Sequence, residues 1–172
     1  CQTVFIDTES YEEILEFGRG FLACLERAAD SRPGGSPFVT GAISLSRYSD
    51  GLERIVYGEG AGWNRIFQGK GCSVTVCSDM DLERSPMFGN CLIKRLPRNM
   101  AFRCLRRHKG HLQTAGLICA RESREELEAL LCACGVSRIT GAGSMSALFD
   151  DGTHDGEYPL RRYVRFVDVE DS

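Results

Sequence analysis

An α/β fold with a mostly parallel sheet flanked by helices is what this sequence predicts. Three observations carry that prediction. Short β-branched runs recur, among them QTVFID (Gln2–Asp7), CSVTVCS (Cys72–Ser78) and NCLIKRL (Asn90–Leu96). Two longer stretches repeat their apolar residues with helical spacing and carry helix start signals. Finally, HLQTAGLICA (His111–Ala120), ESREELEALLCACG (Glu122–Gly135) and VSRIT (Val136–Thr140) succeed one another as strand, helix and strand. That order is the signature of a right-handed parallel crossover.

Taken in order, QTVFID alternates and reads as the first strand. Ser10 to about Asp30 places Ile14, Phe17, Phe21, Leu25 and Ala28 near one helical face, with Ser10 and Glu13 at capping-box spacing. SRPGGSP (Ser31–Pro37) is a loop by its punctuation. Short strands are expected from Phe38 to Arg98: LERIVYG (Leu52–Gly58), CSVTVCS and NCLIKRL, parted by the turns GEGAG and QGKG. No GKS or GKT follows these glycines, so they read as turns and not as a phosphate loop. RNMAFRCLRRHK (Arg98–Lys109) is a short basic helix, and a strand is expected to start at His111. The next helix has Ser123 and Glu126 at capping-box spacing and Gly135 where a C-terminal glycine belongs. GAGSMS (Gly141–Ser146) lacks the last glycine of a dinucleotide fingerprint and is followed by no helical pattern. The closing HDGEYPLRRYVRFVDVE alternates as an edge strand would.

The totals narrow the function classes. At 172 residues, 42% hydrophobic and 26% charged, the chain has the length and composition of one domain with a real core. A net charge of −3 argues against a general nucleic-acid binder, and RCLRRHK reads as a solvated helix face. No apolar run reaches the roughly 18–20 residues of a membrane span. The expected location is the cytoplasm. Nine scattered cysteines without a CxxC pair fit neither a disulfide framework nor a zinc site, and most are expected to be small core residues. No metal site is expected.

Three histidines are the candidates for acid–base chemistry. His108 ends the basic helix, His111 follows a glycine at the mouth of a strand, and His154 sits among Asp150, Asp151, Asp155 and Glu157. Position alone makes His111 suggestive and no more.

KGHLQTAGLI, GVSRITGAGSMS and HDGEYPLRRYVRFVDVE, in this order and spacing, resemble the LuxC-type long-chain acyl-CoA reductases of the aldehyde dehydrogenase superfamily. The resemblance covers nearly the whole chain. SPMFGNCLIKRL is similar to the superfamily segment that commonly reads EIFGP, with Phe88 and Gly89 kept; the glutamate that touches the cofactor ribose there falls at Pro86.

The resemblance implies a single catalytic-type domain over 1–172 with an aldehyde dehydrogenase-like fold, a segment of a longer protein with most of its cofactor domain elsewhere. It implies reduction of a long-chain fatty acyl-CoA, or an acyl-carrier thioester, to a fatty aldehyde with NADPH or NADH, an association with bioluminescence, and a cysteine acyl-enzyme. The family pattern C-x-S-x-Q before a strand matches at Gln2 and Thr3–Asp7, so the nucleophile is expected three residues ahead of Cys1 and Cys1 is its neighbour. His111 then resembles the histidine of a GHT-like strand mouth and becomes the general acid/base candidate, with His154 the weaker one. Gln2, Gln113, Phe88 and Asp155 are implied near substrate or cofactor. Implied partners are the acyl-CoA or acyl carrier, an acyl-transferring protein and further copies of the chain, with no nucleic acid. The chain by itself is expected to be inactive. Two alternatives stand beside this reading. One is a non-catalytic, aldehyde dehydrogenase-like assembly module built on the C-terminal edge strand. The other is a reductase of another activated acyl group.

Overall fold

The structure, a computed structural model, describes residues 3–31, 41, 44–45, 48–49, 52, 64–87, 89–147, 152–153, 156–165, 167 and 169. The chain divides into two compact units, Cys1–Cys104 and Leu105–Ser172.

In the first unit four strands form one sheet: β1 (Thr3–Ile6), β2 (Arg65–Gly69), β3 (Cys72–Val76) and β4 (Asn90–Arg95). Their order is β1-β4-β3-β2. β4 pairs in parallel with both β1 and β3, and only β2 runs antiparallel, joined to β3 through Lys70 and Gly71. Gly71 has φ +73°, the left-handed geometry that a two-residue hairpin loop favours. The predicted strands over CSVTVCS and NCLIKRL are present. RIFQG, which forms β2, was not predicted, because five residues with one aromatic and one β-branched side chain leave little pattern to read. Of LERIVYG only Leu52 is among the described residues, where it is helical and not in the expected strand; the rest of that run and GEGAG lie outside them.

One face of this sheet is covered by α1 (Tyr11–Asp30). Ser10 caps it as its spacing predicts, its hydroxyl accepting from the Glu13 N–H at 3.3 Å. Ile14, Val74, Val76 and Ile93 are the fully buried centre, with Tyr11, Leu15, Phe21, Leu22 and Leu25 of the helix packed around them. The expected helical face is therefore rotated slightly. Phe17 lies at its exposed margin, stacked on Phe21 with ring centres 5.5 Å apart. Gly18 takes the buried position, because a Cβ there would come within 2.7 Å of Val76 Cγ2.

The other face is polar and equally buried. Ser73, Thr75, Asn90 and Lys94 alternate with the apolar residues of β3 and β4, and all four are inaccessible. The segment that follows β3 partners Lys94, whose Nζ donates to Asp79 and Glu83, and its Glu83 carbonyl accepts the Thr3 hydroxyl of β1.

α2 (Arg98–Arg106) closes the first unit and its last residues open the second. Asp7, just after β1, accepts from the Arg98 N–H at 2.9 Å and pairs with its guanidinium, anchoring the helix start.

The second unit contains the predicted crossover: β5 (Thr114–Leu117), α3 (Arg121–Cys134) and β6 (Arg138–Gly141), with β5 and β6 parallel and Thr114 opposite Arg138. Gly135, at φ +96°, ends α3 as expected; its N–H donates to Cys132 and that of Val136 to Leu131. The start differs from prediction. α3 begins at Arg121 behind Ala120 without a side-chain cap, and the Ser123 N–H donates to Ala120, which puts Ser123 inside the first turn. GAGSMS forms a 3-10 turn at Ala142–Ser144, whose following carbonyls bind the Arg138 guanidinium.

The expected C-terminal edge strand is a correction. Residues Pro159–Arg162 form a 3-10 helix, and the described residues beyond it belong to no strand. Proline at the helix start, with φ fixed near −65°, favours this turn over the alternation that follows it. Among the described residues no helix is long and apolar enough to cross a membrane.

Candidate active site

β1, β3 and β4 are parallel and share one N-terminal end. Thr3 stands opposite Leu92, so the chain feeds β1 from the end of the sheet that Asn90 and Cys91 occupy. At that end lies the turn leading into β4, built from Ser85, Met87, Gly89 and Asn90. Met87 adopts φ +65°, the one described non-glycine residue in the left-handed region, at a typical cost of about 1–3 kcal/mol. Three hydrogen bonds hold it there. Its N–H donates to Ser85 Oγ at 3.0 Å, and its carbonyl accepts from both the backbone N–H and Nδ2 of Asn90 at 2.9 and 2.7 Å. Asn90 Oδ1 in turn accepts the Ser73 hydroxyl at 2.5 Å. Gly89 has φ +89° and its carbonyl accepts from the Ser73 N–H at 3.2 Å.

The polar groups of this turn satisfy one another, while Met87 remains half exposed. A thioether presents an apolar, polarisable surface suited to a flat ring. Ser85–Asn90 contain no cation for a phosphate. The turn therefore presents an apolar side chain and no charge at this end of the sheet.

Toward the other end of β4, Lys94 is fully buried between two half-exposed carboxylates, Asp79 at 2.5 Å and Glu83 at 3.0 Å. Burial by itself lowers an ammonium's pKa, but the hydrogen bonds from Asp79 and Glu83, with the nearby Cys77 and Asp79 charges, raise it above the ordinary lysine value. Lys94 is thus a permanent cation below strongly alkaline pH. Nothing in the sequence marks it, since a lysine inside a strand usually faces solvent.

In the second unit, His111 stands on a turn and not on a strand. Gly110 turns the chain at φ +90°, the His111 N–H donates to the His108 carbonyl at 2.9 Å, and β5 starts only at Thr114. The strand expected over His111–Ala120 is thereby shortened by three residues at its start, and it also ends three residues early, at Leu117. The glycine and the helix-end carbonyl close a turn before pairing with β6 can begin. The His111 imidazole is exposed. Gln113 is also exposed on the same segment, and its carbonyl accepts from the N–H groups of Ser137 and Arg138 and from Ser137 Oγ. This fixes the last step of the chain before β5. His108, read from the sequence as an ordinary helix-end residue, is half buried, and its Nε2 is buried without a hydrogen-bond partner. Cys1, Gln2, Phe88, His154 and Asp155 lie outside the described residues.

Of the eight described cysteines five are buried, and Cys24, Cys119 and Cys132 are exposed. Burial raises the Cys134 thiol pKa, opposed in part by Arg106, so it is a packing residue and a poor nucleophile. Among the described residues no group of three or more His, Cys, Asp or Glu side chains could hold a metal ion. An open hollow of about 320 Å³ lies beside α3 and β6, lined by Glu128, Cys132, Val136, Ser137, Arg138 and Ile139. It contains no predicted site residue.

No curated protein matches this chain. A family model does: the one described as acyl-CoA reductase (LuxC), over residues 1–166. With the parallel sheet and crossover in place and nearly the whole length matched, the chain belongs to the LuxC acyl-CoA reductase family.

Proposed function

We propose that this chain supplies the catalytic-type domain of a cytoplasmic reductase that converts long-chain fatty acyl-CoA, or an acyl-carrier thioester, to the aldehyde with NADPH. One observation carries the reading best. β1 begins, at Thr3, at the same sheet end as the strained Met87 turn, and the family pattern sets its nucleophile ahead of β1 in sequence. Both units, in this reading, serve one catalytic domain.

The chemistry is a two-step acyl transfer and reduction. A cysteine thiolate, three residues ahead of Cys1 by the register of Gln2, attacks the thioester carbonyl. A new C–S bond forms, the bond to CoA sulfur breaks, and the CoA thiolate leaves with a proton. A bound nicotinamide nucleotide supplies hydride. The acyl carbon gains that hydride and the bond to cysteine sulfur breaks, giving aldehyde and free thiolate. The turn at Met87 would hold the nicotinamide ring of the bound nucleotide, with Phe88 adjoining in sequence. His111 moves the proton, and its exposure leaves it free to exchange with solvent.

The test is direct. The full-length protein given tetradecanoyl-CoA should oxidise NADPH and release CoA in equal amounts. The purified 172-residue chain should not. Absence of turnover over a range of acyl chain lengths would overturn the reductase reading. NADPH-dependent turnover by the 172-residue chain alone would reinstate Cys1 as nucleophile.

A further inference from the structure

A buried serine–asparagine pair behind a strained turn is an expensive arrangement for a loop that only connects two strands. Asn90 is 2% and Ser73 4% exposed. The orientation of the Asn90 amide is fixed by chemistry: the Met87 carbonyl can only accept, so Nδ2 must face it, and Oδ1 must face the Ser73 hydroxyl. The amide therefore joins the centre of the sheet to the carbonyl of the single described non-glycine residue with a left-handed backbone. Ser73 binds twice, through its hydroxyl to Asn90 and its N–H to Gly89, and so grips the turn on both sides. At Gly89 the left-handed φ of +89° favours glycine, and a Cβ there would stand in contact with the Gly71 carbonyl at 3.4 Å and with Cys72 Cβ at 3.5 Å. A turn that merely linked β3 to β4 would relax Met87 to an ordinary φ. Here tertiary contacts over-determine the strained one, as they do where a surface must be held for a ligand.

We propose that Asn90 and Ser73 are positioning residues that hold the Met87 turn in its left-handed form as the nicotinamide-facing wall of the reductase. This rests on the proposed function for the identity of the ligand, while the clamp itself rests on the geometry above. The pair touches neither substrate nor nucleotide. Its loss should therefore disturb nucleotide binding and the reduction step, and leave acyl transfer from CoA intact.

Asn90→Asp is the sharpest variant, because it replaces the Nδ2 donor with an acceptor facing the Met87 carbonyl. Ser73→Ala removes only the hydroxyl, and Ser73→Thr retains it. Three quantities separate the outcomes in the full-length protein: NADPH Kd by fluorescence titration, CoA released from acyl-CoA without nucleotide, and steady-state turnover. For Asn90→Asp we expect Kd to rise and turnover to fall roughly ten- to a hundredfold, the scale of a small misplacement near a reacting centre. CoA release should stay within about twofold of the native protein by the same reasoning. Ser73→Ala should shift in the same direction by less, and Ser73→Thr should stay near native. Unchanged Kd and turnover in folded Asn90→Asp and Ser73→Ala would overturn the proposal. So would parallel loss of CoA release, NADPH binding and melting temperature in both, which would make the pair purely structural. A native protein that binds NADPH yet reduces no acyl-CoA would defeat the proposed function instead, and the Kd series would still judge the clamp.

Discussion

The two units of this chain bury their strands in opposite ways. In the first, every residue of β3 is buried and α1 covers one face of the sheet with Ile14, Phe21, Leu22 and Leu25. In the second, β5 is half exposed along its whole length, no residue of β6 is fully buried, and the buried residues of α3 are Leu131 and Cys134. A four-stranded sheet with a helix on it can hold its own geometry, whereas two strands are marginal without further packing. The first unit is therefore the rigid platform, and strain at Met87 can persist there. The second unit carries its candidate catalytic group, His111, on an exposed turn where little packing depends on it.

That contrast can be broken most decisively at His111. In the full-length protein His111→Ala should lower turnover by roughly 10²–10⁴-fold, the span for losing general acid–base help, with the melting temperature nearly unchanged. Near-native turnover, or loss only through unfolding, would remove His111 from the mechanism. His108→Ala is the informative neighbour. Its buried, unpartnered Nε2 predicts a structural effect, seen in melting temperature and not in turnover of the folded protein.

The next largest effect belongs to the first unit. Asp79→Asn with Glu83→Gln leaves the Lys94 ammonium buried without a counter-charge and should cost about 3–5 kcal/mol in denaturant unfolding. Lys94→Met, which removes the buried charge itself, should be close to neutral. The pH dependence has a definite sign. Because the folded protein raises the Lys94 pKa, its stabilisation is complete below the ordinary lysine value and is lost as pH rises through the higher folded value. Lys94→Met should abolish that alkaline loss. Identical alkaline unfolding in the two proteins would show that the buried pair contributes nothing.

The smallest effect tests packing alone. Gly18→Ala and Gly20→Ala gain the same helix propensity, about 1 kcal/mol, so their difference isolates the contact with the sheet. A Cβ at Gly20 meets nothing within 4 Å, whereas one at Gly18 meets the buried Val76 at 2.7 Å. Gly20→Ala should therefore be the more stable by about 1–3 kcal/mol, the usual cost of overpacking. Equal stabilities would mean that α1 sits more loosely on β3 than the first unit's core implies.

Much of this architecture is legible in residue order. Ser10 with Glu13, the apolar period of α1, the β-branched runs of β3 and β4, and Gly135 at the end of α3 are local signals, and local backbone and side-chain chemistry is enough to realise them. The failures are also physical. Ser123 has the spacing of a cap, but α3 is entered from Ala120, three residues earlier. The alternation after Pro159 has strand period, but proline starts a 3-10 turn and no described strand pairs with it.

By itself, the sequence determined the α/β class, the parallel crossover from β5 to β6 and the family to which the chain belongs. Each is written in short-range periodicity or in motifs that stay together along the chain. Only the tertiary structure decided that Lys94 is buried against Asp79 and Glu83, that Gly18 is a contact surface, and that Ser73 reaches Asn90 to hold Met87. Ser73 and Asn90 are 17 residues apart and become neighbours only through the pairing of β3 with β4. Periodicity shows which side of a strand faces inward. It does not show which polar group will be waiting there, because that depends on strand register, and register is set by the packing of the whole sheet.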